Sequence, residues 1–241
     1  MTDPIMQLSQ VIQQEFNALK TVSQNTANVN TVGYRSEGVF STLASPSSNN
    51  RTFSDIEQRQ TLSYINSNNG SYVNTNRALD FALSGKGWFV ALNKDGFLIT
   101  RDGHFQVDKK GYLLTQQGLT VLGKEGQPII IDEKDLDSLK VDNKGYIYGL
   151  NNDIILNQIL VVHAESNDIK AEGNALYSAS QVRQIDSNEY QIFQGKLEQS
   201  NTMMSQDMVK IMELSRHIES LQRAVNTYDN LLDSGINQLG K

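Results

Sequence analysis

The chain has 241 residues, with 21 Lys and Arg against 27 Asp and Glu, a formal net charge of −6 at pH 7, and no cysteine. The acidic balance argues against a nucleic-acid binder, which needs a basic stripe to neutralise phosphates, and against a polybasic membrane anchor. The missing cysteine excludes disulfides, thiolate metal sites, iron–sulfur clusters and cysteine nucleophiles.

The length allows one or two domains with a real core, but 38% hydrophobic residues is too polar a composition for every segment to join one globule. No apolar run approaches the ~18 residues that span a bilayer. The longest, 154–164, is broken by Asn157, Gln158 and His163. Gln7, Gln10, Gln13, Gln14 and Glu15 interrupt any signal-peptide core, so no cleaved signal is expected and no membrane insertion.

Residues 1–35 read as a helix with an Asn-rich end. Ile5, Leu8, Ile12, Leu19 and Val22 follow a three-four spacing, with Glu15 where the next apolar residue should fall and Phe16 beside it. Thr2 or Asp3 can cap the start, and Pro4 suits a first helical position. The strip is narrow, like a coiled-coil seam. The helix should fade over 25–30, past Asn25 and Asn28, with Gly33 supplying a left-handed turn. Residues 36–77 read as an extended linker, weakly structured in the isolated chain. The stretches SPSSNN at 45–50 and NSNNGS at 66–71 are turn chemistry.

Residues 78–187 read as a central antiparallel β domain of short strands. Gly96, Gly103, Gly111, Gly118 and Gly126 are spaced alternately seven and eight apart, and most close a turn-like triplet. Short β-prone runs lie between them, and Asp-Gly before an apolar run is a hairpin signal.

Residues 188–241 read as a long C-terminal helix. Leu197, Met204, Ile211, Ile218, Val225, Leu232 and Leu239 are each seven apart. Leu214, Leu221 and Tyr228 fill the second seam position, and Met208 and Ile236 fill it one residue displaced. This predicts a helix of roughly 40 residues with a heptad seam. The expected fold class is therefore α+β, with N- and C-terminal helices pairing as a coiled coil and a central antiparallel β domain. The second helix is the longer, so part of its strip should await other subunits.

No motif points to catalysis, a metal or a cofactor. Residues 118–125 resemble a P-loop but lack its terminal hydroxyl and have a strand-like interior. Gly85-Lys86-Gly87 begins like a dinucleotide fingerprint, yet the third glycine is missing and a strand follows. His104, His163 and His217 show no ligand spacing, and Asp95, Asp102 and Asp108 sit in turns where Asp serves the backbone. The Asn-x-Ser/Thr triplets at Asn50 and Asn69 read as chance matches in a polar linker. Met203, Met204, Met208 and Met212 read as seam and flank residues of the last helix rather than a promiscuous groove.

Three stretches together carry a resemblance. Residues 25–35, NTANVNTVGYR, resemble the N-terminal signature of flagellar rod and hook proteins. Residues 79–90 (LDFALSGKGWFV) continuing to Phe105 resemble that family's central motif. Residues 195–201 (GKLEQSN) and the following helix resemble its C-terminal motif. Thr26 and Met203 depart from the usual apolar residue and valine. The resemblance implies a non-enzymatic subunit of a helical tube, without cofactor, metal or catalytic residues. It implies as partners further copies, other rod subunits and the flagellar type III export apparatus, and a location in the basal body. Its assembly surface would comprise the two seams together with Asn25, Asn28, Gly33 and Tyr34 at one helix end and Ser200 and Asn201 at the other. The competing reading is a secreted coiled-coil protein that never polymerises; ordered helical ends in the free monomer would favour it.

Overall fold

The computed structural model describes residues 4–43, 59–94, 96–149 and 155–239. The chain divides into a helical unit (Met1–Ala27, Glu37–Ser63 and Met203–Lys241) and a β unit (Asn28–Ser36 and Tyr64–Thr202).

In the helical unit, α1 (Pro4–Ala27) packs against α2 (Met204–Leu239); β1 (Glu37–Leu43) pairs with β2 (Arg59–Ile65), of which residues 59–63 belong to this unit. Tyr34 O accepts the Asn201 amide at 3.3 Å, so the chain leaves α1 and enters α2 within a few residues of one hydrogen bond. A connection that short forces the helices to run antiparallel. His217 Nδ1 and Glu15 Oε1 lie 3.1 Å apart, which sets the register. It also explains why Glu15 interrupts the apolar spacing of α1: this seam position meets a histidine. Phe16 beside it stays exposed. At one residue per residue, the level of Pro4 falls near Tyr228. Burial follows that geometry. Ile218 is buried, and Ile211, Leu214, Leu221, Val225 and Tyr228 are half-buried. Leu232, beyond the overlap, is 45% exposed and Leu231 66%.

Among its described residues the β unit contains sixteen further strands. They are β3 (Tyr72–Asn74), β4 (Phe81–Gly85), β5 (Trp88–Asn93), β6 (Gly96–Thr100), β7 (Gln106–Val107), β8 (Leu113–Leu114), β9 (Thr120–Val121) and β10 (Lys140–Val141). After these come β11 (Tyr146–Tyr148), β12 (Ile155–Gln158), β13 (Val161–His163), β14 (Ile169–Gly173), β15 (Leu176–Ala179), β16 (Arg183–Gln184), β17 (Tyr190–Gln194) and β18 (Lys196–Glu198). A nine-stranded sheet runs β14-β15-β6-β5-β9-β8-β7, with β13 bridging β5 and β16; β10-β11-β12, β17-β4 and β18-β3 form smaller sheets. These pairings are antiparallel.

Successive side chains of a strand point to opposite faces. β5 is apolar from Trp88 to Ala91 because both its faces are covered. Phe89 joins a core with Phe81, Leu83, Phe105 and Ile192, while Trp88 and Val90 join a second with Ile99, Val162 and Tyr177. The turn aspartates serve the backbone: Asp108 and Asp142 each accept two amides at 2.8–2.9 Å. Asp95 lies outside the described residues.

Two regions differ from expectation. The segment read as a linker, 36–77, carries β1, β2 and β3 in its described parts; 44–58 lie outside them. The segment read as the long helix, 188–241, opens with β17 and β18, and α2 starts only at Met204. Leu197, the first residue of the heptad series, is therefore a strand residue paired with Val73. A seven-residue step from Met204 placed it on the seam by coincidence, because strand pairing across a long separation leaves no local period.

Candidate functional site

The β unit buries an ion triad that no single segment supplies. Arg35, Arg101 and Glu198 are 1%, 2% and 0% exposed. Glu198 Oε1 receives Arg35 Nη2 at 2.8 Å and Oε2 receives Arg101 Nη1 at 3.3 Å. The Gly70 amide also donates to Oε1, at 2.8 Å. Arg101 donates to the carbonyls of Leu83 and Gly85, and Arg35 to the Asn68 carbonyl and to Asn69 Oδ1. Behind them stands an aromatic wall. Arg101 lies 5.5 Å from the centroid of the Trp88 ring, and that ring packs edge-on against Tyr177. The Tyr177 hydroxyl accepts the Arg35 amide at 2.8 Å.

Two guanidiniums share one carboxylate, so the triad carries one net positive charge. Burial, and then the neighbouring Arg35, pull the Arg101 pKa down to about 10 against the attraction of Glu198. The folded chain therefore sheds this proton before the unfolded chain does. The cost of burying charged Arg101 is fully present at neutral pH and fades only as pH rises above about 10.

The polypeptide around the triad is fixed by main-chain and amide hydrogen bonds. Gly33 N donates to the Glu198 carbonyl at 2.8 Å. Asn201 Oδ1 accepts the Ser36 amide at 2.7 Å, and its Nδ2 donates to the carbonyls of Asn66 and Asn68. Ser200 Oγ pairs with Thr202 Oγ1 at 2.9 Å. Asn28 Oδ1 accepts the Thr31 hydroxyl at 3.1 Å. In the helical unit, the Asn25 side chain takes both the amide and the carbonyl of Glu37, at 2.9 and 2.8 Å, mimicking a β-bridge at the end of α1.

Gly33 has φ +67°, and a Cβ there would lie 2.2 Å from Asp102 N and 2.4 Å from the Arg101 carbonyl carbon. Both are backbone atoms, so a side chain cannot be accommodated by a rotamer change. Gly33→Val is expected to destabilise the β unit by at least about 2 kcal/mol, since a β-branched residue is also strained in the left-handed region. Urea unfolding read at Trp88 measures this; an unchanged midpoint would contradict it.

The structure thus gathers Gly33, Tyr34, Ser200 and Asn201 around one point, while Ile5, Leu8, Ile12, Leu19, Val22 and the α2 seam residues belong to the helical unit. Reading the sequence passed over the triad itself. Arg35, Arg101 and Glu198 each lie in one of the three stretches that carry the family resemblance. The available signal was a charge of definite sign inside a Gly-rich or apolar motif; singly, each looks like a surface charge. The polar run 66–71 has the composition of a linker, yet its carbonyls and amides line the triad.

Segments from both ends of the chain are tied at a buried ionic junction, and the apolar seam of α2 outruns α1: these features define a structural subunit. The "Flagellar hook protein FlgE/F/G D1 domain" model matches residues 82–149, and the "Flagellar basal body rod FlgEFG protein C-terminal" model matches 194–239. The flagellar basal-body rod protein FlgF of Rhizobium meliloti is 26% identical over 223 residues, covering 92% of this chain and 91% of the relative. The rod protein FlgG of Bacillus subtilis is 28% identical over 91% of this chain and 92% of its own length. The hook protein FlgE of Caulobacter vibrioides is 37% identical over 146 residues, 55% of this chain but 24% of the hook protein. Both matching models describe flagellar rod and hook proteins, and the rod proteins are similar to this chain over about nine-tenths of its length.

Proposed function

We propose that this chain is a subunit of the proximal part of the flagellar rod, packing through its terminal helices with further copies and with other rod subunits. The observation that carries this reading is the uneven burial of the α2 seam. Ile218 is buried where α1 covers it, whereas Met204 and Met208 at one end and Leu231 and Leu232 at the other are exposed. A repeating, non-closing contact through such strips builds a filament, and knobs-into-holes packing of the seams would give it a coiled-coil wall. Asn25, Asn28, Gly33, Tyr34, Ser200 and Asn201 fix the ends of the two helices and so set their geometry in the wall. The work is mechanical rather than catalytic. Among the described residues, no group of acidic or histidine side chains could hold a metal ion, and no helix is long and apolar enough to cross a membrane. Export through the flagellar type III apparatus without a cleaved signal peptide is part of the same proposal, as is the proximal rather than the distal rod.

Hook–basal bodies isolated from cells expressing an epitope-tagged copy provide the test. Immunogold label is expected on the rod, at its end nearest the cytoplasmic membrane. Label at the distal rod would move the protein there, and label only in the culture medium would favour a secreted coiled-coil protein that never polymerises.

A further inference from the structure

The polar run beside the triad contains Asn69-Gly70, the one Asn-Gly pair in the sequence. Asparagine is thermolabile, and most so before glycine, because no side chain shields the following amide nitrogen from the asparagine side-chain carbonyl. Glycine at 70 is imposed by packing: a Cβ there would lie 1.9 Å from the Gln199 carbonyl oxygen. The lability of the pair is thus built into the junction. Both reacting groups are engaged by the triad. The nucleophile, Gly70 N, donates to Glu198 Oε1 at 2.8 Å. The electrophile, the Asn69 side-chain amide, accepts Arg35 Nη2 at 3.1 Å through its oxygen. Asn69 itself is exposed to water.

We propose that Asn69-Gly70 is a spontaneous deamidation site gated by the Arg35–Glu198 pair, protected while the junction is closed and converted when it opens. In the reaction, Gly70 N loses its proton to solvent and bonds to Asn69 Cγ. The Cγ–Nδ2 bond breaks and ammonia leaves, giving a succinimide. Water then opens the ring at either carbonyl to give aspartate or isoaspartate. In the closed junction the amide proton is held by an anion, which opposes its removal, and the nitrogen faces Glu198. Reaction therefore requires local opening, and its rate is scaled by the open population. The two products act differently on the triad. An aspartate at 69 supplies the second carboxylate that the two guanidiniums lack. An isoaspartate adds a methylene to the main chain between 69 and 70 and draws the Gly70 amide off Glu198. The junction thereby records the time the chain has spent with this region open.

The experiment incubates the full chain in mildly alkaline buffer, folded or in concentrated urea, and follows the peptide containing residue 69 by mass spectrometry. Asn69 is expected to convert at least about tenfold more slowly in the folded chain, as about 1.4 kcal/mol of protection gives. Arg35→Met removes the pin on Asn69 and leaves Arg101–Glu198 as a balanced pair; folded Arg35→Met is expected to convert several-fold faster than folded wild type. Equal rates in the folded and unfolded wild-type chain, or a folded Arg35→Met chain as protected as wild type, would overturn the proposal. If Arg35→Met does not fold, wild type in sub-denaturing urea decides. There, conversion of Asn69 must rise in step with hydrogen exchange of the Gly70 amide, and conversion independent of that exchange would overturn the proposal.

Discussion

Glu198→Ala is expected to cost the β unit about 3–5 kcal/mol, the range for breaking a buried ion pair from one side. The substitution strands two guanidiniums that are at most 2% exposed and removes the acceptor of the Gly70 amide. The chain's single tryptophan is Trp88, under Arg101, so its fluorescence reports the junction during urea unfolding. Arg35→Met supplies the contrast. It removes the surplus charge and leaves Arg101 paired with Glu198, and should cost clearly less than Glu198→Ala. In combination the two changes should be less damaging than their sum, because they act on one network. A Glu198→Ala midpoint corresponding to a loss under about 1 kcal/mol would show that packing, not the triad, holds this junction.

The parts of this fold that sequence alone disclosed are those with a local period. The heptad steps of Ile211, Ile218 and Val225 mark a helix without reference to anything outside it, and the Lys109-Lys110-Gly111 triplet marks the turn between β7 and β8 from adjacent residues. The pairings of β18 with β3 and of β17 with β4 join residues more than a hundred positions apart. Their strands are short, and neither alternates cleanly. Leu197 shows the consequence: its spacing agreed with the helix, while its hydrogen-bonding partner was Val73. The triad was hidden for the same reason. A carboxylate at 198 acquires meaning only when the chain from 35 and the end of β6 arrive beside it, and no periodicity announces an ion pair across such separations. By contrast Gly33, Tyr34, Ser200 and Asn201 stand in short motifs that can be read locally, and within the β unit hydrogen bonds donated by main-chain amides join the stretch 33–36 to 198–201.

Ile218→Asp is expected to disable the helical unit while sparing the β unit. Ile218 is 5% exposed, the most buried hydrophobic residue of the α2 seam, and lies next to the His217–Glu15 contact that sets the register with α1. Losing its side chain should cost about 2–5 kcal/mol by analogy with large-to-small changes in cores. The carboxylate adds the cost of an unpaired charge in an apolar contact, relieved only in so far as its pKa rises. A narrow seam has no second face to compensate, so the helices should part and helical circular dichroism should fall. Unfolding read at Trp88 should keep its wild-type midpoint, since that side chain belongs to the β-unit core. In cells, Ile218→Asp should be made and exported but should not build a rod, leaving cells non-motile. Glu219→Gln changes the neighbouring, exposed position and should lose at most a weak surface interaction; those cells should swim. Swimming by Ile218→Asp cells at the Glu219→Gln level would mean that the α2 seam is not an assembly surface, and the helical-wall reading would lose its physical basis.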